Sequence, residues 1–428
     1  EEGCFCGAKA EVINMVQDKI LSVIPELPSG AFVHADGDGA YQIIKENSSA
    51  DEWRGWCRRL TGDGFAQVGG RAAAGNLFAV YRRGAYGVTS YYTPFNSTFR
   101  VIVEPAENMS DSASDVCGEK ICAPLLTQIG RTFMQNNYFR GVPVNCGLMC
   151  YILRLEDGRF IVIDGGVAND AFADGIMNVL KKQAPVPENI VIAAWIISHT
   201  HNDHTGGLIK FTEKYYDCPE VRIDELICNY PGERDCIDWF EKNEYFLRQR
   251  SIANFRAFNR EGKVTKIHSG EVRNIGGAEI EFLATQEDFI TSSRSWRDTR
   301  DWNNTSVVFR VRMTGYSMMF LADACIAEND ILTAMYASYL KSDLCQTAHH
   351  GGKGGTVEVY TAIDPDVATY TTSDEALTVY LGDRANAHLA NELHVKEILN
   401  AANRITEFDI PYIPGTSRVL DNEAERML

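Results

Sequence analysis

The sequence lacks the features of a membrane-spanning or nucleic-acid-coating protein. None of its apolar runs approaches the 18 or more residues that a bilayer crossing needs. It has no block rich in Lys and Arg, and its 41 basic residues face 58 acidic ones, which gives a formal net charge of −17. This charge disfavours nucleic acid and anionic membrane as partners. We therefore expect a soluble protein without a membrane partner, whose substrate is a small molecule; these features predict no oligomeric state.

The 12 cysteines lack the paired spacing of a structural zinc site. They are scattered, and several lie among apolar neighbours, where a reduced cysteine acts as a small apolar side chain. This pattern favours free thiols in a reducing, cytoplasmic compartment. The sequence begins without methionine and shows no charged segment followed by an apolar one, and a signal peptide that had been removed would leave none.

The chain is long enough for two domains, and its patterns change after about residue 105. Apolar residues at helical spacing predict helices over 8–24 and 49–60, and β-branched runs separated by turns predict three strands after Asn76. We interpret residues 1–105 as a small accessory α+β domain, which could serve as a cap, a dimerisation surface or a lid. A polar, acidic linker over 106–118 precedes the catalytic domain, 119–428.

Three of only nine histidines fall within six residues, directly after a strand predicted from Ile190 to Ile197. The strand is wholly apolar, as expected of a strand buried on both faces. In an extended segment alternate side chains share a face, so His199, His201 and Asp203 could converge while His204 points elsewhere. Imidazole and carboxylate are the ligands of zinc-like ions. This arrangement suits two ions better than one. It also argues against the alternative that the segment is an ordinary polar loop in which the histidines occur together by chance.

The segment His199-x-His201-x-Asp203-His204, together with Asp164-Gly165-Gly166 on an earlier strand end, resembles the metallo-β-lactamase superfamily. The resemblance runs from near residue 121 onward. It implies an α/β (α+β) fold, the αββα sandwich, with two mixed sheets face to face, helices outside and a metal pair at the sheet edges. It also implies that Asp164 orients the metal-binding histidines from behind, as carboxylates commonly do.

The resemblance implies that later residues complete the metal site. An Asp at the end of an apolar strand is costly to bury unless a cation meets it, and Asp323 follows such a strand. We expect Asp323 to bridge the two ions. We expect His268 to join His199 and His201 as the third histidine ligand of one ion. Either His349 or His350 could be the last ligand, with His349 preferred. The predicted metal ligands are His199, His201, Asp203, His204, His268, Asp323 and His349.

The later order Asn303-Asn304-x-Ser306, Leu321-x-Asp323 and Ala348-His349-His350-Gly351 resembles the branch that includes competence-type DNA-uptake proteins and phosphorylcholine esterases. This branch favours a small anionic phosphoric monoester or diester as substrate. We expect a hydrolase in which two divalent ions hold a bridging hydroxide. Zinc is favoured, with manganese or iron as alternatives.

The resemblance also suggests roles in catalysis. Asp203 would orient the hydroxide, and His350 or His394 would serve the leaving group.

Other functions fit the same residues. A lactone, a thioester or another acyl substrate would use the same water chemistry. A non-catalytic binding protein could keep the fold without its metals. Redox chemistry at an iron pair would require flavin or oxygen partners, and no flavin domain is evident in the sequence.

Overall fold

A computed structural model describes residues 21–110, 115, 117–130, 133–139, 142–146, 148–233, 235, 242–291 and 301–420. By their internal contacts these residues form two compact units. The first holds the described residues of 1–112 and 290–294, and the second holds those of 113–289 and 295–428. The division into accessory domain, linker and catalytic domain stays a prediction.

The first unit is one antiparallel sheet with a helix packed on it. Its elements are β1 (Phe32–Ala35), β2 (Tyr41–Lys45), α1 (Ala50–Gly62), β3 (Ala66–Ala73), β4 (Asn76–Arg83), β5 (Tyr86–Thr93) and β6 (Thr98–Pro105). The strand order is β1-β2-β6-β5-β4-β3. Helix α1 begins where the Ser49 side chain accepts a hydrogen bond from the backbone N–H of Glu52, and it buries Trp53, Trp56 and Leu60. Most of the helix predicted over 8–24 lies outside the described residues.

The second unit contains two large mixed sheets and a two-stranded one. Its first strands are β7 (Leu125–Ile129), β8 (Phe133–Phe139), β9 (Val142–Cys146), β10 (Tyr151–Arg154), β11 (Phe160–Ile163), β12 (Ile190–Ile196), β13 (Val221–Ile223), β14 (Glu225–Cys228) and β15 (Lys263–Lys266). The later strands are β16 (Val272–Ile275), β17 (Ala278–Ala284), β18 (Val308–Met313), β19 (Tyr316–Phe320), β20 (Leu344–Gln346), β21 (Val367–Tyr370), β22 (Glu397–Asn400), β23 (Ile405–Asp409) and β24 (Arg418–Val419).

We name each large sheet after one of its central strands. The β12 sheet has the order β15-β14-β12-β11-β10-β7-β23-β24, with β13 also paired to β12. The β19 sheet has the order β16-β17-β18-β19-β20-β21-β22. Strands β8 and β9 pair only with each other among the described strands.

Seven α-helices of the described residues belong to this unit. They are α2 (Asp170–Gln183), α3 (Asn202–Lys214), α4 (Lys242–Phe258), α5 (Ile326–Tyr336), α6 (Val357–Ile363), α7 (Asp374–Tyr380) and α8 (Arg384–Asn391). Short 3-10 helices cover Gln286–Phe289, Trp302–Thr305, Ala337–Leu340 and Ala348–Gly351. Among the described residues, none of the helices combines the length and the apolar character that a bilayer crossing needs.

The core of the second unit lies between the two large sheets. Alternate residues of β12 point to opposite faces, so Ala194 and Ile196 join a buried cluster that includes Phe309 and Phe320 of the β19 sheet. The intervening Trp195 packs on the other face, against a cluster that includes residues of α2, α3 and α4. Helix α5 contacts β17 and α6, and no residue of either helix belongs to the intersheet cluster. The predicted αββα sandwich and the doubly buried β12 strand are confirmed.

Two glycines bring the start of α3 against the loop that follows β11. A Cβ added at Gly207 would lie 1.6 Å from the carbonyl oxygen of Gly165. The backbone N–H of Gly207 donates to the Gly166 carbonyl at 2.7 Å, and the N–H of Gly165 donates to the His204 carbonyl at 2.7 Å. The contact requires glycine because no side chain fits between the two backbones, and it sets the position of Asp164 relative to His204.

Replacing Gly207 by Ala should lower the free energy of unfolding by about 3 kcal/mol, because the new methyl group forces the two backbones apart. The sign of this change in the free energy of unfolding is diagnostic, because replacing Gly by Ala inside an unobstructed helix would be stabilising by about 1 kcal/mol. Urea denaturation measures the change. Gly118→Ala is the matched control, because a Cβ there meets nothing closer than 3.8 Å. Equal stability of the Gly207→Ala variant and the parent protein would contradict the described contact.

Candidate metal centre

Most of the predicted site residues lie where parallel strands of both sheets end. In the β12 sheet, β11, β12, β14 and β15 run parallel, so their carboxyl ends share one edge. Asp164 directly follows β11, His199 follows β12 and His268 follows β15. In the β19 sheet, β19, β20 and β21 run parallel, and Asp323 and His350 lie just beyond β19 and β20. The topology therefore brings residues far apart in sequence to one edge of the sandwich.

The histidine-rich segment is not extended throughout, and in this respect the prediction from the sequence is wrong. Helix α3 begins at Asn202, and the His201 carbonyl accepts hydrogen bonds from the N–H groups of His204 and Thr205 at 3.1 and 2.9 Å. Asp203 thus occupies the first turn of the helix, where the helix dipole stabilises a negative charge. The helical turn aims His204 back into the site instead of away from it.

The carboxylate of Asp323 is the centre of the site. Its Oδ2 atom lies 3.2 Å from the Nε2 atom of His204, 3.3 Å from that of His350, 3.8 Å from that of His349 and 4.0 Å from that of His199. Asp323 is only 1% exposed. A buried carboxylate that faces four imidazoles from two sheets suits the predicted role of a bridging ligand.

Two groups of potential ligand atoms share His204. One consists of His199, His204 and Asp323, and the other of Asp203, His204 and His350; within each group the ligand atoms lie within 4.8 Å of one another. Within the part of the chain that the structure describes, three buried atoms of this cluster have no hydrogen-bond partner: Nε2 of His204, Oδ1 of Asp323 and Nε2 of His350. Buried polar atoms are rarely left without a partner. These orphaned atoms, on ligand types that divalent ions prefer, fit a bound metal pair.

The carboxylate of Asp164 contacts both ends of the segment from Ser198 to His204, which follows β12. Asp164 is fully buried, and its carboxylate accepts hydrogen bonds from the backbone N–H of Ser198 at 2.7 Å and from the Ser198 hydroxyl at 2.8 Å. Its Oδ2 atom also lies 2.7 Å from Nδ1 of His204. A carboxylate on Nδ1 leaves Nε2 as the ligand atom, and Nε2 of His204 indeed faces Asp323. These contacts suit the orienting role that the resemblance implies for Asp164, and that role stays a prediction.

His199 and His201 meet through their rings. Nε2 of His199 lies 3.0 Å from Nδ1 of His201, and the Ser198 hydroxyl lies 3.1 Å from Nδ1 of His199. Two imidazole nitrogens that face each other at this distance must share a proton or a cation. His201 lies outside both groups of clustered atoms, so its role as a ligand rests on this contact alone.

Of the two consecutive histidines, His350 lies closer to the other ligands. Its Nε2 atom is 3.3 Å from Oδ2 of Asp203, and its Nδ1 atom is 2.7 Å from the Thr371 hydroxyl, which fixes the ring. His349 belongs to neither group of clustered ligand atoms. The preference for His349 as the last ligand stays a prediction, but the distances favour the reverse order.

His268 lies in a neighbouring buried polar cluster. Its Nδ1 atom is 3.0 Å from Oε1 of Glu287, a carboxylate that also accepts two hydrogen bonds from the Asn229 amide at 2.8 Å. Metal-bound histidines are commonly held by a carboxylate in this way, so the pair suits a ligand. The structure does not bring His268 into either group of clustered atoms, and its role stays a prediction.

His394 is not brought to the site. Its side chain is 89% exposed, and its nearest charged neighbour is Oδ1 of Asp364 at 3.6 Å. The proposed contact with a leaving group therefore has no support in the geometry. His388, a weaker candidate, lies on helix α8 and contacts Thr361 and Glu392 instead.

The charges of the imidazoles follow from their neighbours. Burial lowers the pKa of His199 well below its usual range, and the neighbouring His204 and His201 lower it further. Burial alone would also lower the pKa of His204, but Asp323 and Asp164 raise it well above that range. Asp323 and Asp203 likewise overcome burial and raise the pKa of His350 to about 9. Without metal, His204 and His350 carry positive charge where a cation would otherwise lie.

The two carboxylates stay ionised in spite of their burial. Burial opposes ionisation of Asp323, but His204, His350 and His349 hold its pKa well below the usual range. The pKa of Asp203 is lowered for a similar reason, because the imidazole of His350, 3.3 Å away, and the charge of His204 outweigh burial. The site therefore presents two negative charges that require positive counter-charge.

Several residues that position the ligands were missed at the sequence level. Ser198 and Thr371 hold imidazole nitrogens, and Gln346 clamps the turn before Asp323 by bonding both the N–H and the carbonyl of Ala322, at 2.7 and 3.2 Å. Glu287 holds His268 from a different strand end. Ser, Thr and Gln are common residues without distinctive spacing, so the only available signal was their position just beyond, or at the last residue of, a strand.

Comparisons with known proteins bear on this site. The family model described as "Metallo-beta-lactamase superfamily" matches residues 140–369, which is more than half of the chain. No curated protein matches the sequence.

Solved structures give weaker likenesses. The metallo-beta-lactamase fold protein YhfI from Bacillus subtilis is 13% identical, with 65% of this chain and 96% of that chain covered and a TM-score of 0.35. CmlA, a diiron beta-hydroxylase from Streptomyces venezuelae, is 14% identical, with 74% and 55% covered and a TM-score of 0.35. A flavo di-iron protein variant from Thermotoga maritima is 16% identical, with 65% and 53% covered and a TM-score of 0.27. This chain thus spans about half the length of the latter two, and at these scores none supports an argument about its chemistry.

Metal affinity should rise with pH between about 6.5 and 9. His350 must lose a proton to bind a cation, and its raised pKa means that it still holds this proton at neutral pH. Below pH 9 each displaced proton raises the apparent affinity about tenfold per pH unit. Competition for zinc against a chromophoric chelator, at several pH values, measures this slope.

The His350→Asn variant provides the control, because its side chain has no proton to displace and should reduce the slope by about one proton. An affinity for zinc that does not change over this pH range would contradict the described charges.

Proposed function

Because the chain belongs to the metallo-β-lactamase superfamily, we propose that it is a binuclear metal-dependent hydrolase acting on a small phosphoric ester. Most members of this superfamily are hydrolytic enzymes. The observation that carries the proposal is the position of Asp323, whose one carboxylate oxygen faces four imidazoles at 3.2–4.0 Å. Two divalent ions, with zinc favoured and manganese or iron as alternatives, would lower the pKa of a water so that hydroxide forms near neutral pH.

The residues of the chain divide into ligands and supports. His199, His201 and His204 would hold the pair on the β12 side, and Asp323 and His350 on the β19 side. His268 is the remaining candidate ligand, and His349 is the alternative to His350.

Asp203 has a second role in the proposal. Its lowered pKa keeps it an acceptor, so besides binding a cation it can accept a hydrogen bond from the attacking water and orient it. This orientation matters because in-line attack on phosphorus requires one direction of approach. Asp164 has no contact with a reacting atom and acts only by fixing His204 and Ser198.

The charge of the site supports an anionic substrate. Two dications bound by two carboxylates leave an excess of positive charge inside a chain whose overall charge is strongly negative. A phosphoric ester meets this excess with its own negative charge, and the branch resemblance carried by Asn303, Asn304 and Ser306 points to the same class. A neutral lactone or thioester would gain less from it.

The test is a hydrolysis screen with the full chain loaded with zinc or with manganese. We expect turnover of bis(4-nitrophenyl) phosphate or 4-nitrophenyl phosphorylcholine, and slower turnover of a γ-lactone or an acyl thioester. Asp323→Ala should lower kcat/KM for the phosphoric ester by about 10³-fold, because a metal-polarised water accounts for several kcal/mol of the barrier.

Asp366→Asn is the matched control for this loss of charge. Asp366 pairs with Lys396 on the surface at 2.9 Å and should leave kcat/KM unchanged. Faster turnover of the lactone or the thioester would replace the phosphoric ester by an acyl substrate. Full metal loading without hydrolysis of any substrate would favour a binding protein or redox chemistry instead.

A further inference from the structure

His349 has a conformation that calls for an explanation. Its backbone and that of His350 are left-handed, with φ of +50° and +57°, in a region that non-glycine residues rarely adopt. The N–H of His349 donates to the Ala322 carbonyl at 2.9 Å, and its carbonyl accepts from the N–H of Gly352 at 2.7 Å. Gly354 packs so closely that an added Cβ would lie 2.9 Å from Cβ of His349. The surroundings therefore impose this backbone, which places the ring beside the ligand cluster.

The ring of His349 contacts a buried thiol on the side away from Asp323. Sγ of Cys325 lies 3.6 Å from Nδ1 of His349, and the same sulfur lies 3.1 Å from Oδ2 of Asp301. Cys325 is 6% exposed, and its carbonyl accepts the N–H groups of Glu328 and Asn329 at the start of α5. The backbone that carries the sulfur is therefore held by contacts that do not depend on His349.

The directions of these two hydrogen bonds follow from the available protons. A carboxylate oxygen accepts, so the thiol is the donor in its contact with Oδ2 of Asp301. A thiol has a single hydrogen, so its contact with His349 can only run from the ring N–H to the sulfur. Asp301 is itself fixed, because its Oδ1 atom accepts from the N–H and the side-chain amide of Asn303 at 3.1 and 2.9 Å.

We propose that Cys325 and Asp301 are positioning residues for His349, which hold its proton on Nδ1 and present the lone pair of Nε2 to the site. That atom is 3.8 Å from Oδ2 of Asp323, and 26% of the side chain is exposed. His349 thus meets an incoming substrate or water as an acceptor at the open side of the cluster. The consequence for turnover rests on the proposed hydrolytic function, whereas the form of the ring does not.

The form of the ring can be measured directly. Long-range ¹H–¹⁵N correlation spectra of the full chain, labelled with ¹⁵N-histidine and free of metal, separate the two neutral forms of imidazole, and His349→Asn identifies the signal. We expect the Nδ1–H form in the parent protein and in Cys325→Ser, which keeps a donor and an acceptor. Cys325→Ala should give a mixture of both forms. An Nε2–H form in the parent protein, or an unchanged signal in Cys325→Ala, would overturn the proposal.

Kinetics tests the consequence for turnover. Cys325→Ala should lower kcat for the phosphoric ester about tenfold with KM within about twofold, because it weakens a group that acts after binding. Cys325→Ser should restore kcat. In a His349→Asn background, Cys325→Ala should cause no further loss, since the two residues act as one unit. Equal losses in both backgrounds would show that Cys325 does not act through His349.

Cys345→Ala is the control for removing a buried thiol. Its sulfur donates a hydrogen bond to the carbonyl of Gln346 at 3.4 Å and has no hydrogen bond to a proposed ligand among the described residues, so kcat should stay unchanged. Failure of the proposed function and failure of the positioning proposal give different results. If the parent protein hydrolyses no ester, the proposed function fails while the spectra still decide the position of the proton. If it hydrolyses esters and Cys325→Ala is unaffected, only the positioning proposal fails.

Discussion

A carboxylate buried among imidazoles is stable only if positive charge reaches it, and Asp323 is such a carboxylate. Its neighbours His199 and His204 belong to the β12 sheet, while His349 and His350 belong to the β19 sheet. The charge of Asp323 therefore ties the two sheets together at one edge. Without metal, protons on His204 and His350 provide the counter-charge, and with metal a cation pair would replace them.

Several residues around Asp323 have a left-handed backbone conformation. Asp164, Ala322, His349 and His350 all adopt φ between +49° and +57°. For a residue with a Cβ this conformation costs roughly 1–2 kcal/mol. Strained backbone is typical of functional sites, where surrounding contacts compensate for it. Here the Gln346 side-chain amide bonds both the backbone N–H and the carbonyl of Ala322.

Most of the fold could be predicted because its signals are local. The apolar run of β12 and the polar segment after it marked both a doubly buried strand and the site. Strand β3, with its pair of glycines at 69 and 70 and few β-branched residues, gave no such signal and was missed. The turn at Asn202 was also missed, because a helix start that lacks a capping Ser, Thr, Asp or Asn before it leaves little trace in the sequence.

The site was predictable in its ligand types but not in its geometry. The structure brings Asp164, His199, His204 and Asp323 together at one edge of the sandwich, while their roles at a metal pair stay predictions. The choice between His349 and His350 could not be made, because the contacts that distinguish adjacent residues, such as the bond between His350 and Thr371, become visible only in three dimensions.

The residues that hold the histidines could not be predicted from the sequence either. In the sequence, Glu287 and Cys325 lie far from the histidines that they contact in the structure. The spacing of residues therefore gave no information about these two contacts. The role of His394, by contrast, was suggested by the resemblance alone, and the fold leaves this residue on the surface.

The central claim is that Asp323 lies between two cations. Anomalous diffraction at the zinc edge, from crystals of the zinc-loaded chain, tests it most directly. The account predicts two peaks, one within coordinating distance of His199 and the other of Asp203 and His350, with Asp323 in reach of both and His204 in reach of one. A single peak elsewhere in the structure, or none at this cluster after zinc loading, would contradict it.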